Sequence, residues 1–567
     1  MKDRYLDIPN HLQEYIVDQD YDSYTAINHA CWKFIMQISK SFFKNHAHPS
    51  YLDGLKKTGI TIDRIPSISD MDDKLKGIGW RAVPVRGFLP PTIFMQFQAH
   101  SILPIASDMR TVNHLTYTPA PDIVHEAAGH SPIIVDKSYS KYLRNYGKAA
   151  SKAINSRKDQ EVYRAIRLLS DLKENPQSTK DEIDNAERLL EKSLAKHTYL
   201  SEGTYLARLN WWTVEYGLVG KIDKPKIFGA GLLSSVSESY NLIHNNVKII
   251  PLTIDCINYT YDITEQQPQL FLAENFNHLN EVLNEYKSQM SYKKGGSISM
   301  KKAIESESVC TFELDTGIQV SGIPVEILSE SNKESYFKFD GPVQLSYKNL
   351  QIEGHGGEYH SKGFSSPICN NKIISQLDNA SINTGISINF GLGIRLDGVI
   401  KNKIYCDNKL LIVSFNKCKI TNKEKILFDP GWGSFDLACG SSVSSVYGGP
   451  ADIESYIKFM GMELPNKEKP RHLYDQSKSD RELITLYEKV DYINSQPLTN
   501  FKDIELIIKE LDLSFENDWL IRFKLIKILN KYGSSTLVEK LKNKIRSIAQ
   551  NDKDLLNSIK RGFKYIN

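Results

Sequence analysis

Two histidines and one glutamate, distant from each other in the chain, have the right chemistry to bind a metal ion together. His125 and His130 lie in the segment His-Glu-Ala-Ala-Gly-His, and Glu215 lies in the aromatic stretch Trp-Trp-Thr-Val-Glu-Tyr-Gly. A carboxylate among apolar and aromatic residues is costly to bury unless a cation neutralises it. Two imidazoles and one carboxylate are the ligand set of non-haem Fe(II) sites, which keep coordination positions open. The pattern therefore predicts an iron site of this kind.

The five-residue spacing between the two histidines needs a special local structure. On a regular α-helix the side chains of His125 and His130 would point ~140° apart. Pro121 and Asp122 suit a helix start, and Gly129 suits a helix end. We therefore expect His125 in the last turns of a short helix and His130 just beyond it, where the chain is free to turn back. The H-E-x-x-H spacing of zinc peptidases is four residues, so that class is disfavoured.

Two alternatives remain open at this point. The two histidines could be unrelated surface or capping residues. Glu215 could be a structural carboxylate that is paired with a lysine or an arginine.

The composition excludes several classes of protein. The chain has 567 residues, about three or four domains by length, and its net charge of +3 does not indicate a nucleic-acid or anionic-membrane binder. No signal peptide or membrane-spanning segment is expected. Seven cysteines without a C-x-x-C pair disfavour thiolate zinc sites and favour a reducing, cytoplasmic setting.

Changes in composition along the chain predict four consecutive parts of an α+β multidomain protein. Residues 1–292 are expected to form a mostly helical domain with short strands, into which about residues 145–200 are inserted as a solvent-facing helical hairpin. Residues 293–306 are expected to be a linker. Residues 307–450 contain short β-type runs separated by turns and predict a β-rich domain. Residues 451–567 predict a C-terminal helical module, for packing or for contact with another protein.

Six segments within residues 20–290 contain motifs that are more specific than these changes in composition. They are Gly79-Trp80-Arg81 through Phe94, Met109-Arg110, Tyr117 to Pro132, Trp211 to Leu218, Phe228 to Ser235 and Tyr261 to Phe276. In order and spacing these segments resemble the pterin-dependent aromatic amino acid hydroxylases, the phenylalanine 4-monooxygenase group. The spacing differs from that of the family at the insertion of about residues 145–200. The resemblance implies that residues 1–292 are an iron and pterin catalytic domain.

The resemblance also implies roles for individual residues. His125, His130 and Glu215 match the iron ligands that hold the reactive centre, and Arg110 matches the residue that pairs with the substrate carboxylate, a bidentate task that suits a guanidinium. Further matches to substrate-binding positions are Thr118, Pro121, Trp211, Gly231 and Ser234. Matches to pterin-binding positions are Gly87, Phe88, Leu89, Phe94 and Glu126. Phe94 and Trp211 could instead be core residues.

The activity implied by the resemblance is hydroxylation of the ring of an aromatic amino acid by dioxygen. The implied cofactors are Fe(II) and a tetrahydropterin, either tetrahydrobiopterin or a related reduced pterin. Trp211 matches the pocket residue of phenylalanine and tyrosine hydroxylases, and apolar Ile263 lies where tyrosine hydroxylases tend to be acidic. The favoured reaction is therefore phenylalanine to tyrosine.

The alternative is an amino-acid or pterin sensor with little or no catalysis, whose C-terminal half contacts a partner. It depends on Pro90, Pro91 and Asn210, which stand where the family usually has other residues.

The C-terminal half has no motif that assigns a chemistry. His355, Glu358 and His360 could ligate a metal, but a polar turn between strands is the favoured interpretation. The terminal helices are expected to serve packing, self-association or protein contact.

Overall fold

The computed structural model describes residues 2–116, 120–175, 177–196, 199–244, 247–263, 266–461, 477–497 and 500–565. Helices and strands are mixed, as the sequence predicts. Among the described residues, no helix combines the length and the apolar character needed to cross a lipid bilayer.

The first half of the chain is mostly helical. Its helices are α1 (Asn10–Gln13), α2 (Ala26–His46), α3 (Ser50–Lys57), α4 (Ile68–Lys76), α5 (Pro91–Ala99), α6 (Lys137–Ala150), α7 (Arg157–Glu174), α8 (Lys180–Lys196), α9 (Glu202–Asn210), α10 (Ala230–Ser234), α11 (Val236–His244), α12 (Phe276–Gln289), α13 (Ser291–Lys294) and α14 (Gly296–Ser306). The longest, α2, begins with a capping box between Thr25 and Asn28. Helices α7 and α8 form the predicted hairpin.

Two small sheets complete this half. Their strands are β1 (Arg81–Val85), β2 (Ile102–Ala106), β3 (Leu218–Lys221), β4 (Lys224–Ile227), β5 (Lys248–Pro251) and β6 (Gln269–Ala273). Strands β1 and β2 pair in parallel. The other four have the order β4-β3-β6-β5, in which only β3 and β4 are antiparallel.

The second half begins with two antiparallel sheets. Their elements are β7 (Cys310–Leu314), β8 (Ile318–Glu330), β9 (Lys333–Tyr347), β10 (Leu350–Gln351), β11 (Phe364–Pro367), α15 (Asn371–Asn379), β12 (Gly385–Asn389), β13 (Ile394–Cys406), β14 (Lys409–Asn422), β15 (Lys425–Phe428), β16 (Phe435–Ala438) and β17 (Val443–Gly448). One sheet has the order β10-β9-β8-β7-β17 with β11 beside β9, and the other has β12-β13-β14-β15 with β16 beside β14. Phe337 and Phe339 of one sheet share a buried core with Ile412 and Ala438 of the other.

The stretch that was predicted as a linker, residues 293–306, is not extended but largely helical. Helix α14 occupies most of it and packs against β8 and β17. Gly295 has φ +58° and ψ −159°, and a Cβ there would lie 2.4 Å from the carbonyl oxygen of Val443. The Gly-Gly pair therefore permits a close turn between two packed regions instead of providing a flexible spacer.

The C-terminal helices pack onto the first half of the chain. They are α16 (Ile453–Tyr456), α17 (Lys478–Ser495), α18 (Lys502–Ser514), α19 (Trp519–Tyr532), α20 (Ser535–Ile548) and α21 (Lys553–Lys564). The Phe34 ring of α2 meets the rings of Trp519 and Phe523 edge to face, each at a centroid distance of 4.9 Å. The two regions thus share one hydrophobic core. The apolar face that predicted a contact module is covered by this chain's own α2.

Candidate active site

Two short π-helices carry the predicted metal ligands. His125 and His130 lie at the start and the end of the π-helix Val124–His130, and Glu215 ends the π-helix Trp211–Glu215. Hydrogen bonds from residue i+5 to residue i define a π-helix, so residues five apart come close to one another. The expectation that His130 lies beyond the helix end was wrong. The i+5 geometry itself brings both imidazoles to one side.

Gly129 has a different role from the predicted helix stop. A Cβ on Gly129 would lie 2.7 Å from the carbonyl oxygen of Ala230 on α10. Glycine at this position therefore allows α10 to pack closely against the histidine-bearing π-helix.

The three predicted ligands converge on one point, and we name them the π-helix cluster (His125, His130 and Glu215). The Nε2 atoms of the two histidines are 3.2 Å apart. The Glu215 carboxylate places one oxygen 3.3 Å from Nε2 of His125 and the other 3.5 Å from Nε2 of His130. Ligands at ~2.0–2.2 Å from a single ion would be separated by such distances. The cluster therefore fits one metal ion.

Protons and a metal ion would compete for the π-helix cluster. Burial lowers the pKa of His125, but the Glu215 carboxylate outweighs this effect and the pKa rises to about 9. Burial lowers the pKa of His130 to about 4. The Glu215 carboxylate thus favours a protonated His125 imidazole, and a metal ion that binds through Nε2 must displace that proton.

Two neighbours orient these ligands. Ser234 Oγ donates a hydrogen bond to the Ala230 carbonyl and lies 2.9 Å from Nδ1 of His125, so it accepts the proton of Nδ1. This contact leaves Nε2 of His125 available as a ligand atom. The side chain of Asn210 hydrogen-bonds to the Glu215 carboxylate. The structure therefore gives Ser234 a contact with a ligand in addition to its predicted place near the substrate.

A buried ion pair lies beside the π-helix cluster. Arg110 donates from Nε and Nη2 to the two carboxylate oxygens of Asp122, at 2.7 and 2.8 Å. Asp122 also accepts from the backbone N–H groups of Arg110 and His125. The guanidinium is thereby tied to the first π-helix. Its Nη1 donates to the Ser234 carbonyl at 3.3 Å.

A cavity of about 420 Å³ adjoins the π-helix cluster. With one exception, all the predicted site residues lie in its lining. Thr118 is the exception, because it falls outside the described residues. The predicted residues in the lining are Gly87, Phe88, Leu89, Phe94, Arg110, Pro121, His125, Glu126, His130, Trp211, Glu215, Gly231 and Ser234.

One wall of the cavity is aromatic. The Trp211 indole is stacked between the rings of Tyr216 and Tyr261, at centroid distances of 4.7 and 4.2 Å. Its Nε1 donates to Gln267. Ile263 lies in the lining, whereas the neighbouring Asp262 is exposed. This wall can receive a flat apolar ring.

The opposite side of the cavity contains Gly87, Phe88, Leu89 and Phe94. Gly87 has φ +58° and donates its N–H to the Asp108 carboxylate, so the turn there requires glycine. Burial raises the pKa of Glu126 to about 8, and its buried Oε2 has no hydrogen-bond partner among the described residues. A buried oxygen without a partner is costly, and a ligand N–H would satisfy it.

Three residues at this site were not predicted from the sequence. Asp122 was interpreted only as a helix start, although an acidic residue twelve positions after Arg110 could have indicated a pair. Asn210 was noted only as a departure from the family. Tyr163 of the inserted hairpin lies in the cavity lining, and no sequence signal marked it, because its placement depends on how the hairpin folds back.

The comparisons with known proteins concern the same part of the chain. The sequence model of the family described as biopterin-dependent aromatic amino acid hydroxylase matches residues 12–164 and 199–307. The match covers less than half of the chain, and it confirms the predicted resemblance of this region to the family. The gap in the match contains α8 and most of α7, so the family model does not cover most of the hairpin.

Individual relatives point the same way. Phenylalanine-4-hydroxylase from Mesorhizobium japonicum is 28% identical over 273 residues, which are 47% of this chain and 82% of the relative. The Chromobacterium violaceum enzyme is 27% identical over 271 residues, 47% of this chain and 76% of its own length. A crystal structure of the latter, with bound iron(III) and 7,8-dihydrobiopterin, covers 51% of this chain and 90% of its own, with 23% identity and a TM-score of 0.39.

Proposed function

We propose that the chain is an Fe(II)- and tetrahydropterin-dependent monooxygenase that hydroxylates the ring of an aromatic amino acid, phenylalanine to tyrosine. The observation that carries the proposal is the convergence of two imidazoles and one carboxylate at the wall of a cavity that also contains the predicted substrate and pterin residues. When bound, iron activates dioxygen and the reduced pterin supplies the two electrons that the amino acid does not provide.

The π-helix cluster fits iron by its donor set as well as by its distances. Three protein ligands on one side leave the side toward the cavity free for further ligands. The contact between Ser234 and His125 holds the imidazole in the tautomer that ligates through Nε2. Asn210 holds the Glu215 carboxylate from the other end of its π-helix.

The pterin is proposed to lie along the stretch from Gly87 to Phe94. Phe88 and Phe94 offer apolar contacts for a flat heterocycle. The Glu126 carboxyl, whose buried Oε2 has no hydrogen-bond partner among the described residues, offers a hydrogen bond to a ring N–H or amino group. Tetrahydrobiopterin and related reduced pterins share these ring N–H and amino donors, so the proposed cofactor is a reduced pterin and not one particular compound.

The amino acid is proposed to bind between Arg110 and the aromatic wall. Arg110 lies in the lining with its guanidinium held in place by Asp122, and a fixed guanidinium suits a substrate carboxylate. Trp211 and Pro121 flank the space for the ring. Apolar Ile263 in the lining offers no hydrogen bond to a ring hydroxyl, which favours phenylalanine over tyrosine.

The reaction is proposed to take place in the cytoplasm. All seven cysteines have free thiols, and six of them are buried. A reducing compartment preserves this state.

The test is turnover by the full-length protein. The protein is loaded with Fe(II) without oxygen and then mixed with tetrahydrobiopterin, air and one amino acid: phenylalanine, tyrosine or tryptophan. Mass spectrometry of the products and iron analysis are performed on the same sample. We expect tyrosine from phenylalanine, and no product from the His130→Ala variant, which is the matched control.

Three outcomes would contradict all or part of the proposal. An iron-loaded sample that hydroxylates none of the three amino acids overturns it. Tight binding of pterin and amino acid without turnover would instead support the sensor, and a preference for tryptophan would overturn the assignment of the substrate.

A further inference from the structure

A second group of two histidines and one carboxylate lies in the β-rich half, outside the lining of the cavity. We name it the β-loop cluster (His355, His360 and Asp436). One potential ligand atom from each of the three residues lies within 4.8 Å of the other two. The atoms Nδ1 of His355 and Nε2 of His360 are 3.2 Å apart. All three residues are buried.

The distance between the two imidazole nitrogens fits a shared metal ion. Two nitrogens at ~2.0–2.1 Å from a tetrahedral zinc ion lie ~3.3 Å apart. A hydrogen bond between the two imidazoles would also give the observed 3.2 Å. That hydrogen bond would explain the histidine pair, but not the carboxylate that lies beside it.

The Asp436 carboxylate is buried beside the two imidazoles. Its oxygens receive hydrogen bonds from the hydroxyl groups of Ser414 and Tyr359. Across the described residues, no lysine or arginine forms an ion pair with it at 4.0 Å or less. A carboxylate that is 5% exposed and pairs with no lysine or arginine of the described residues is costly to maintain. A divalent cation between Asp436 and the imidazoles would neutralise it, and the two hydroxyl groups would orient it as outer partners.

The histidines are held rigidly. The backbone carbonyl of His355 accepts from Leu345 N–H, and that of His360 accepts from Val343 N–H, which ties both residues to β9. Gly357 lies between them, and a Cβ there would lie 2.4 Å from the Phe459 ring. The loop is therefore packed tightly enough to present two imidazoles in a defined geometry, which a metal site requires.

The ligands come from both sheets. His355 and His360 adjoin the sheet that contains β9, whereas Asp436 lies on β16 beside β14 in the other sheet. We propose that His355, His360 and Asp436 bind a divalent transition-metal ion, zinc(II) in the first instance, that joins the two sheets. Zinc suits this role because it accepts imidazole and carboxylate ligands in a tetrahedral site and is not redox-active. Nothing in the proposed hydroxylation requires this ion.

The test isolates the second site in the full-length protein. His130→Ala weakens the π-helix cluster, so the remaining metal reports on the β-loop cluster. The protein is stripped with a chelator, incubated with zinc(II) and passed through gel filtration, and zinc and iron are then quantified by mass spectrometry. We expect one zinc ion per chain in His130→Ala and none after Asp436→Asn is added. Glu358→Gln is the control, because Glu358 lies in the same loop but pairs with Lys458.

Two further measurements keep the test decisive. Zinc should raise the Tm of His130→Ala and leave that of the double variant unchanged. Cobalt(II) bound to His130→Ala should show the visible absorption of a four-coordinate ion. This measurement does not use Asp436→Asn, so it does not depend on whether that variant folds. Zinc that is absent from His130→Ala, zinc that persists after Asp436→Asn, or cobalt that lacks this absorption would each overturn the proposal.

Discussion

Two regions of this molecule each bring together two histidines that lie five residues apart and one carboxylate, on different structural supports. The π-helix cluster takes its two histidines from one π-helix and its carboxylate from another, whereas the β-loop cluster takes its histidines from a loop and its carboxylate from a strand. The imidazole nitrogens are 3.2 Å apart in both. Burial lowers the pKa of one histidine in each, His130 to about 4 and His360 to about 3.

The surroundings of the two clusters differ more than the clusters themselves. The π-helix cluster opens on a cavity of about 420 Å³ with a buried arginine nearby, and the side chains of His125 and Glu215 are 23% and 16% exposed. The β-loop cluster is only 5–7% exposed. The same donor set is therefore proposed to serve chemistry where a substrate can reach it and to serve stability where it is enclosed.

The largest expected effect separates the two clusters by function. Glu215→Gln removes the negative charge that attracts the ion. It should lower the rate of hydroxylation by more than ~100-fold, because the loss of a residue that only orients a metal ligand already costs up to that much. Asp436→Asn should leave the rate per bound iron unchanged. The measurement is turnover with metal analysis, and an equal loss in the two variants would contradict the comparison.

The second prediction removes the cation beside the π-helix cluster. The metal ligands stay in place, as in the β-loop cluster, but no guanidinium remains to bind the substrate carboxylate. Arg110→Ala should raise the KM for the amino acid by about 10–100-fold, which is the value of a charged hydrogen bond. It should also destabilise the protein by about 3–5 kcal/mol, because Asp122 loses its buried partner.

The double variant Arg110→Ala/Asp122→Asn separates these two effects. It should recover part of the stability in denaturant unfolding while KM stays high. The exposed pair Arg395–Asp397 provides the control, since Arg395→Ala should cost ~0–1 kcal/mol. An unchanged KM in Arg110→Ala would contradict the proposed role.

The third prediction concerns the hydroxyl groups behind each cluster. Ser234→Ala should lower iron affinity by about 10–100-fold, and Ser414→Ala should do the same for zinc at the β-loop cluster. Ser237→Ala is the control, because its hydroxyl contacts Ser235 and not a ligand. If Ser234→Ala raises only the KM for the amino acid at saturating iron, Ser234 acts on the substrate and not on His125.

The smallest effect tests the joint between the two regions. Gly295→Ala should destabilise the protein by about 1–3 kcal/mol, because only glycine readily adopts its backbone conformation and a Cβ would meet Val443. Gly296→Ala should cost about 1–2 kcal/mol, since its φ is +68° but no atom lies within 4 Å of a Cβ. Thermal unfolding measures both, and equal losses would show that the contact with Val443 does not matter.

Much of the local structure could be predicted from the sequence. The composition of residues 1–292 predicted a mostly helical region, about residues 145–200 predicted the hairpin, and the β-type runs of residues 307–450 predicted the sheets. These patterns are local, and residues close in the chain decide them through hydrogen bonding and side-chain burial. The prediction of a linker at residues 293–306 was wrong, because a local pattern of glycines does not distinguish a tightly packed turn from a flexible segment.

The sequence by itself determined which residue types could bind iron and which family the first half resembles, because those motifs lie within short segments. Only the tertiary structure decided that i+5 spacing works through π-helices, that Arg110 is held by Asp122 and that Tyr163 reaches the cavity. It also decided that Asp436, and not Glu358, joins His355 and His360. Contacts between residues far apart in the chain depend on how sheets and helices pack, and no local pattern records them.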